Sequence, residues 1–188
     1  MESIETSIQD VFKIKPDFFE DNRGFFFETF NQRRFEDAIK QKVNFVQDNH
    51  SRSFKNVLRG IHYQINRPQA KLIRVVQGEI FDVIVDLRKY SDTFGQWEGC
   101  ILSADNKEQL WVPEGCAHGF LVLSEAAEIL YKTTNYYEPQ FERCLFWNDK
   151  TLNIKWPIQF EPILSKKDSL GQSFKDLDYF FKDPEIPS

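Results

Sequence analysis

Three histidines, three cysteines and one methionine in 188 residues leave little for metal chemistry or disulfides. The cysteines, at 100, 116 and 144, form no C-x-x-C pair and are odd in number, so a secreted disulfide framework is not expected and a reducing cytoplasm is. No apolar run approaches the roughly 18 residues of a membrane span. The acidic start Met-Glu-Ser-Ile-Glu-Thr lacks the apolar stretch of a leader, and the expectation is a soluble, unprocessed protein that does not engage membranes. Positive charge is also in deficit: 24 Lys and Arg against 29 Asp and Glu give a net charge of −5, which repels nucleic-acid backbones and anionic lipid. A bound phosphate must therefore meet a local basic cluster. Repeats, low-complexity tracts and linkers are missing as well, and the length suits one domain over 1–188.

What is present is aromatic. Nineteen Phe and six Tyr favour strands, where rings pack on a pleated surface. Residues 11–28 read as two short extended pieces about the turn Asp21-Asn22-Arg23-Gly24, and Phe35, Ala38 and Ile39 mark a helix between roughly Asn31 and Lys40. From Val43 the period becomes two. Phe81 to Arg88 places Phe, Val, Val and Leu on one face and Asp82, Ile84, Asp86 and Arg88 on the other, the pattern of a half-buried strand, with Gln77-Gly78 as the turn before it. Further strands are expected at 97–103, 109–113, 117–124 and 126–134, which together make an all-β sandwich or jelly roll. In the tail, Leu170, Phe174, Leu177 and Phe181 are spaced for one or two helical turns packed on the outside.

Two segments carry chemistry. Arg59-Gly60-Ile61-His62-Tyr63-Gln64 and Pro113-Glu114-Gly115-Cys116-Ala117-His118-Gly119-Phe120 are similar in outline to the paired metal motifs of a cupin barrel, but the ligand set is broken. Gln64 stands where a second His would be, and Lys71, with six residues between it and Gly78, stands where a Glu would be. An ammonium has three donors and no lone pair, so such a barrel suits an anion rather than a cation. The spacing of His62 and Gln64 puts both on one strand face, and Lys71 can point inward among His62 and His118. A lone His in a β protein is more often structural than basic, and a Lys at a strand end more often solvated. His118, between Ala117 and Gly119, has the competing reading of a core His bonded to backbone. Tyr131 and Asp168 read locally as a core aromatic and a solvated loop charge.

Taken with Gln47-Asp48-Asn49-His50-Ser51, Gln69-Ala70-Lys71-Leu72, Tyr131-Lys132, Trp147-Asn148-Asp149 and Asp21 to Glu28, these segments closely resemble the dTDP-4-dehydrorhamnose 3,5-epimerase family, in order, from about residue 10 to Asp168. The resemblance implies a cupin-type jelly roll with short peripheral helices, a homodimer with exchanged N-terminal strands, no cofactor, and epimerisation of dTDP-4-dehydro-6-deoxy-D-glucose at carbons 3 and 5 on the way to the L-rhamnose of surface polysaccharides. It implies His62 as base, Asp168 as the carboxylate that orients it, Tyr131 as acid and Lys71 as the cation that stabilises the enolate. Sugar-nucleotide contacts carried over in the same way are Arg23, Glu28, Gln47, Asp48, Asn49, Arg59, His118, Glu142 and Lys167, with Phe26 and Tyr137 against the base. Cys116 stands where the family usually has Phe, Ile61 where it has Leu, and the loop Ile65 to Pro68 is short. The alternatives are an enzyme that inverts one carbon or shifts the ketone, a non-catalytic cupin that binds a sugar nucleotide, and a metal-dependent cupin oxygenase.

Overall fold

A computed structural model describes residues 1–177 and 181. Its strands are β1 (Glu2–Glu5), β2 (Phe12–Lys15), β3 (Phe18–Asp21), β4 (Gly24–Phe27), β5 (Gln47–Phe54), β6 (Leu58–Gln64), β7 (Lys71–Gln77), β8 (Glu79–Asp86), β9 (Trp97–Ser103), β10 (Gln109–Val112), β11 (Cys116–Val122), β12 (Ala126–Thr133) and β13 (Glu142–Cys144). One helix, α1 (Gln32–Ile39), stands between β4 and β5. Its start is fixed by Asn31, whose side chain accepts from the Arg34 amide, and its end by Lys40 in the left-handed region at φ 56°. No helix among the described residues is long and apolar enough to cross a membrane.

The strands form a six-stranded sheet in the order β1-β2-β10-β7-β12-β5, a five-stranded sheet in the order β13-β6-β11-β8-β9, and the separate hairpin β3-β4; all of these pairings are antiparallel. This is the cupin-type jelly roll expected, and every long strand inferred from alternation is present to within two residues at each end. Between the sheets Ile73, Val75, Leu110 and Ile129 of one meet Ile80, Ile84, Leu102 and Val122 of the other. A second apolar layer lies behind the five-stranded sheet, where Tyr63, Val83, Val85 and Leu121 pack against Leu145, Trp147, Trp156, Leu177 and Phe181. A third lies behind the six-stranded sheet, where Leu72 and Trp111 meet Phe35 and Ile39 of α1.

That extra layer corrects the half-buried reading of residues 81–88. Phe81, Val83 and Val85 face the C-terminal cover, while Asp82 and Ile84 face the space between the sheets, so both faces are covered and Asp82 and Asp86 are fully buried. Asp86 is satisfied by Arg88, Ser91 and Thr93. The tail expectation also needs correction. Asp168–Leu170 and Phe174–Asp176 are single 3₁₀ turns, Leu170 is exposed, and Phe174, Leu177 and Phe181 reach the core one by one rather than as a helical stripe.

Strands β6 and β11 approach closely beside the site. A Cβ on Gly60, at φ 123°, would lie 2.5 Å from the Gly119 Cα, so this crossing requires glycine, and it sets His62 opposite His118.

Candidate active site

At one end of the sandwich the sheets part around a cavity of about 610 Å³, within the range of small-ligand sites. Cross-strand partners share a face, and the register explains the lining. Gln47 pairs with Thr133, which pairs with Lys71; Asn49 pairs with Tyr131, which pairs with Ile73. Gln47, Asn49, Lys71 and Tyr131 therefore come from the six-stranded sheet, and Arg59, His62 and His118 from the facing sheet. Tyr137, Glu142, Lys167 and Asp168 arrive on the segments that close the rim.

His62 Nε2 lies 2.5 Å from Oδ1 of Asp168, a carboxylate only 3% exposed. Ser165 donates to the other oxygen at 2.7 Å and accepts from the Asp168 amide at 3.1 Å. Burial works against ionisation of Asp168, but the bonds from His62 and Ser165 outweigh it and hold the carboxyl below its ordinary range. An ionised Asp168 makes Nε2–H the donor, which leaves Nδ1 as the ring nitrogen with a free lone pair.

On the facing sheet, burial pushes the Lys71 ammonium down to about 8, against the pull of Glu142 and Asp82. It remains mostly charged at pH 7. Burial raises the Tyr131 phenol, only partly opposed by Arg59, so Tyr131 is a proton donor and not a phenolate. Glu142 accepts from Tyr137 Oη and from Lys167 Nζ, both at 2.8 Å, and these bonds hold its carboxyl low in spite of burial. The Tyr137 hydroxyl is pushed up to about 12 by burial and by that bond. Gln47 Nε2 donates to Asn49 Oδ1 at 2.9 Å while its own oxygen accepts from the Tyr137 amide at 3.0 Å, and Arg59 is steadied by Ser53 Oγ at 2.9 Å. The chemistry on offer is an imidazole oriented by a carboxylate, a buried cation and a neutral phenol, with the last two across the cavity from the first.

Most of the residues anticipated from the sequence converge here, but four do not. Asp48 bonds to Lys132 Nζ at 2.8 Å on the outer face of the six-stranded sheet, because alternation turns it away from Gln47 and Asn49. Arg23, Phe26 and Glu28 lie on or beside the β3-β4 hairpin, outside the cavity of their own chain: the Arg23 side chain is 90% exposed, Phe26 is 72% exposed, and Glu28 faces Arg34 at 3.4 Å. His118 is held by the Asp82 carboxylate at 2.9 Å rather than by backbone. Gln64 donates to the carbonyls of Arg67 and Tyr136 and accepts from the Glu138 amide, tying the rim loops together.

Sequence reasoning missed two residues. Ser165 had a signal, since Ser-x-x-Asp is a spacing at which a hydroxyl and a carboxylate cap each other's backbone. Asp82 had none, because alternation assigned it to solvent. Among the described residues, one group of possible metal ligands lies close enough together to share an ion: His62, Cys144 and Asp168, with their ligand atoms within 4.8 Å of one another.

Comparison with known proteins identifies the family. A family model described as dTDP-4-dehydrorhamnose 3,5-epimerase matches residues 5–176. The dTDP-4-dehydrorhamnose 3,5-epimerase of Pseudomonas aeruginosa is 57% identical over 180 residues, covering 96% of this chain and 99% of its own, and that of Shigella flexneri is 58% identical over 181 residues, with 96% and 99% covered. Among solved structures, the dTDP-6-deoxy-D-glucose-3,5-epimerase of Legionella pneumophila, in complex with dTDP-4-keto-L-rhamnose, superposes with a TM-score of 0.92 at 47% identity, covering 94% of each chain.

Proposed function

Since the chain belongs to the dTDP-4-dehydrorhamnose 3,5-epimerase family, we propose that this cavity performs the family reaction with His62 as base, Tyr131 as acid and Lys71 as the cation beside the enolate. The enzyme is an isomerase, converting dTDP-4-dehydro-6-deoxy-D-glucose to dTDP-4-dehydro-L-rhamnose by inversion at carbons 3 and 5. Both carbons flank the carbon-4 ketone, so each carries a hydrogen that leaves as a proton once the enolate oxygen is stabilised. His62 Nδ1 takes that proton while Asp168 offsets the positive charge growing on the ring. The Lys71 ammonium faces the oxygen on which negative charge develops, an interaction stronger in the transition state than in the ketone. Tyr131 returns a proton to the opposite face, and solvent restores both groups before the second carbon reacts.

The observation that carries this reading is that the His62–Asp168 pair and the Lys71, Tyr131 set reach one cavity from facing sheets, as inversion requires. Turnover in deuterated water, followed by proton NMR, tests it. Two deuterons, at carbons 3 and 5, are expected; one alone would move the chain to a single-carbon epimerase, and exchange without inversion would remove Tyr131 from its role.

The diphosphate suits Arg59 and Lys167, and the thymine ring suits Tyr137 with Gln47 and Asn49 beside it. The assembly we propose is a cytoplasmic homodimer of single-domain chains. The β3-β4 hairpin exposes Phe19, Phe25 and Phe26 and carries Arg23 at its tip, so its aromatic face and cation can be used only outside its own cavity. Delivered to a partner's cavity, Arg23, Phe26 and Glu28 complete the nucleotide pocket.

A further inference from the structure

We propose that His62, Cys144 and Asp168 form a binding site for a borderline-soft divalent cation, zinc above all, and that filling it switches the enzyme off. The three come from separate elements: β6, β13 and the 3₁₀ turn that begins at Asp168. His62 Nε2 is 2.5 Å from Asp168 Oδ1, Cys144 Sγ is 4.0 Å from the same oxygen, and all the ligand atoms lie within 4.8 Å of one another. Zinc takes nitrogen and oxygen at about 2.0–2.2 Å and sulfur at about 2.3 Å, so neighbouring ligands of a tetrahedral site stand roughly 3.4–3.6 Å apart. The His62–Asp168 pair must therefore open by roughly 1 Å and the Cys144–Asp168 pair close by roughly 0.4 Å, movements within reach of side-chain rotation. His62 and Asp168 line the cavity and Cys144 sits just behind them, so an ion entering from the cavity keeps its fourth position open to water.

The donor set decides which ion. One imidazole, one carboxylate and one thiolate neutralise a divalent charge and suit zinc, cobalt or cadmium far better than magnesium or calcium, which prefer oxygen alone. Nothing in the proposed reaction employs Cys144, whose thiol otherwise makes only weak contacts of 3.6 Å to the carbonyls of Gly60 and Leu145.

Inhibition follows from proton positions, and this part rests on His62 being the base. A metal on Nε2 needs the lone pair where the proton now is. The single ring proton moves to Nδ1 and the thiol proton leaves to solvent. Nδ1 is the nitrogen that must accept the substrate proton, so the metallated ring has no basic site left.

The test uses the full chain stripped with EDTA. Titration with Co²⁺ should give, at one equivalent, a tetrahedral visible spectrum and a near-ultraviolet thiolate-to-cobalt band, both altered in Cys144→Ser. One equivalent of Zn²⁺ should remove nearly all turnover, and EDTA should restore it. Cys144→Ala should keep its metal-free turnover while the half-inhibiting zinc concentration rises at least tenfold, since even outer-shell losses cost about 10- to 100-fold in metal affinity. Equal zinc sensitivity of wild type and Cys144→Ala, or cobalt bound without a thiolate band, overturns the site. Should both cysteine variants fail to fold, His62→Ala decides it, because it keeps the thiol and must lose the tetrahedral spectrum. Absence of turnover before any metal is added would refute the epimerase reading instead, and the cobalt spectrum would still decide the site.

Discussion

Replacing Lys71 by Met is expected to make the protein more stable and nearly inactive in one step. Burial pushes this ammonium from 10.5 down to about 8, and at about 1.36 kcal/mol per pH unit the charged form costs the native state about 3 kcal/mol relative to the unfolded chain. Lys71 retains some exposure, which makes that figure an upper bound. Met has a similar reach and adapts to irregular space without a charge to desolvate, so the variant should gain 2 to 3 kcal/mol at pH 7 by the same arithmetic. Between about 8 and 10.5 the unfolded chain holds a proton that the native protein does not, so wild-type stability rises with pH across that window. The advantage of the variant is therefore complete below about 8, shrinks as pH rises from there and is gone above 10.5.

Urea unfolding of both proteins at one protein concentration, at pH 7 and again near pH 10.5, measures the difference directly. Turnover supplies the second half. Loss of a donor that acts on a developing oxyanion should lower kcat by about 10² to 10³ with a smaller effect on KM, and wild-type kcat/KM should decline above pH 8 as the free ammonium loses its proton. A variant less stable at pH 7, or an advantage that does not change with pH, would refute the desolvated cation. A rise in KM alone would reassign Lys71 to the phosphates.

His62→Ala should abolish both deuterium exchange and epimerisation, with a fall of about 10² to 10⁴ or more, measured by NMR in deuterated water. Tyr131→Phe should differ: hydrogens still wash out through His62 while inversion slows, and equal loss of both would end the two-wall mechanism. Ser165→Ala removes one donor from the Asp168 carboxylate, a bond worth about 1.5 to 3 kcal/mol; kcat should fall roughly tenfold or more with KM little changed, and an unaltered kcat would make Ser165 merely structural. Mixing inactive His62→Ala with inactive Arg23→Glu under subunit exchange should restore about a quarter of wild-type activity, because half the dimers are then mixed and each carries one intact site; no restoration would confine Arg23 to its own chain.

Much of the site was legible because it is local in sequence. His62 and Gln64 share one strand face by parity, whereas Arg59, of opposite parity, joins them in the cavity through the break in register between β6 and β11. Parity also contained the answer for Asp48, which sits between two inward residues and must face out. Asp168 was not legible in this way. It lies 106 residues beyond His62 and reads locally as a solvated charge; only the chain returning behind β6 buries it against the imidazole. Tyr131 is similar, since nothing in Ile129-Leu130-Tyr131 says that β7 and β5 will flank it and turn its face toward Asn49 and Ile73. Asp82 shows the limit of alternation itself. A strand covered on both sides can place a carboxylate inward wherever a partner such as His118 awaits, and the partner comes from β11, far along the chain.

The broken cupin motif gains physical sense from these partners. Of the four positions that would gather a metal in a cupin of that pattern, Gln64 spends its amide on three backbone groups of the rim, Lys71 brings a cation, and His118 has Nε2 committed to a fully buried Asp82. His118 could ligate through that nitrogen only by leaving Asp82 as a buried charge without its partner, which costs several kcal/mol. The fourth position, His62, is bonded to Asp168, with Cys144 Sγ 4.0 Å from the same carboxylate oxygen. A cation is thus opposed at the centre of the barrel by Lys71, and among the described residues the ligands able to share one meet at its wall, in His62, Asp168 and Cys144. The Asp168 carboxylate that orients His62 as a base is also, with Cys144, part of the one group among the described residues whose ligand atoms lie close enough to share an ion and take that base away.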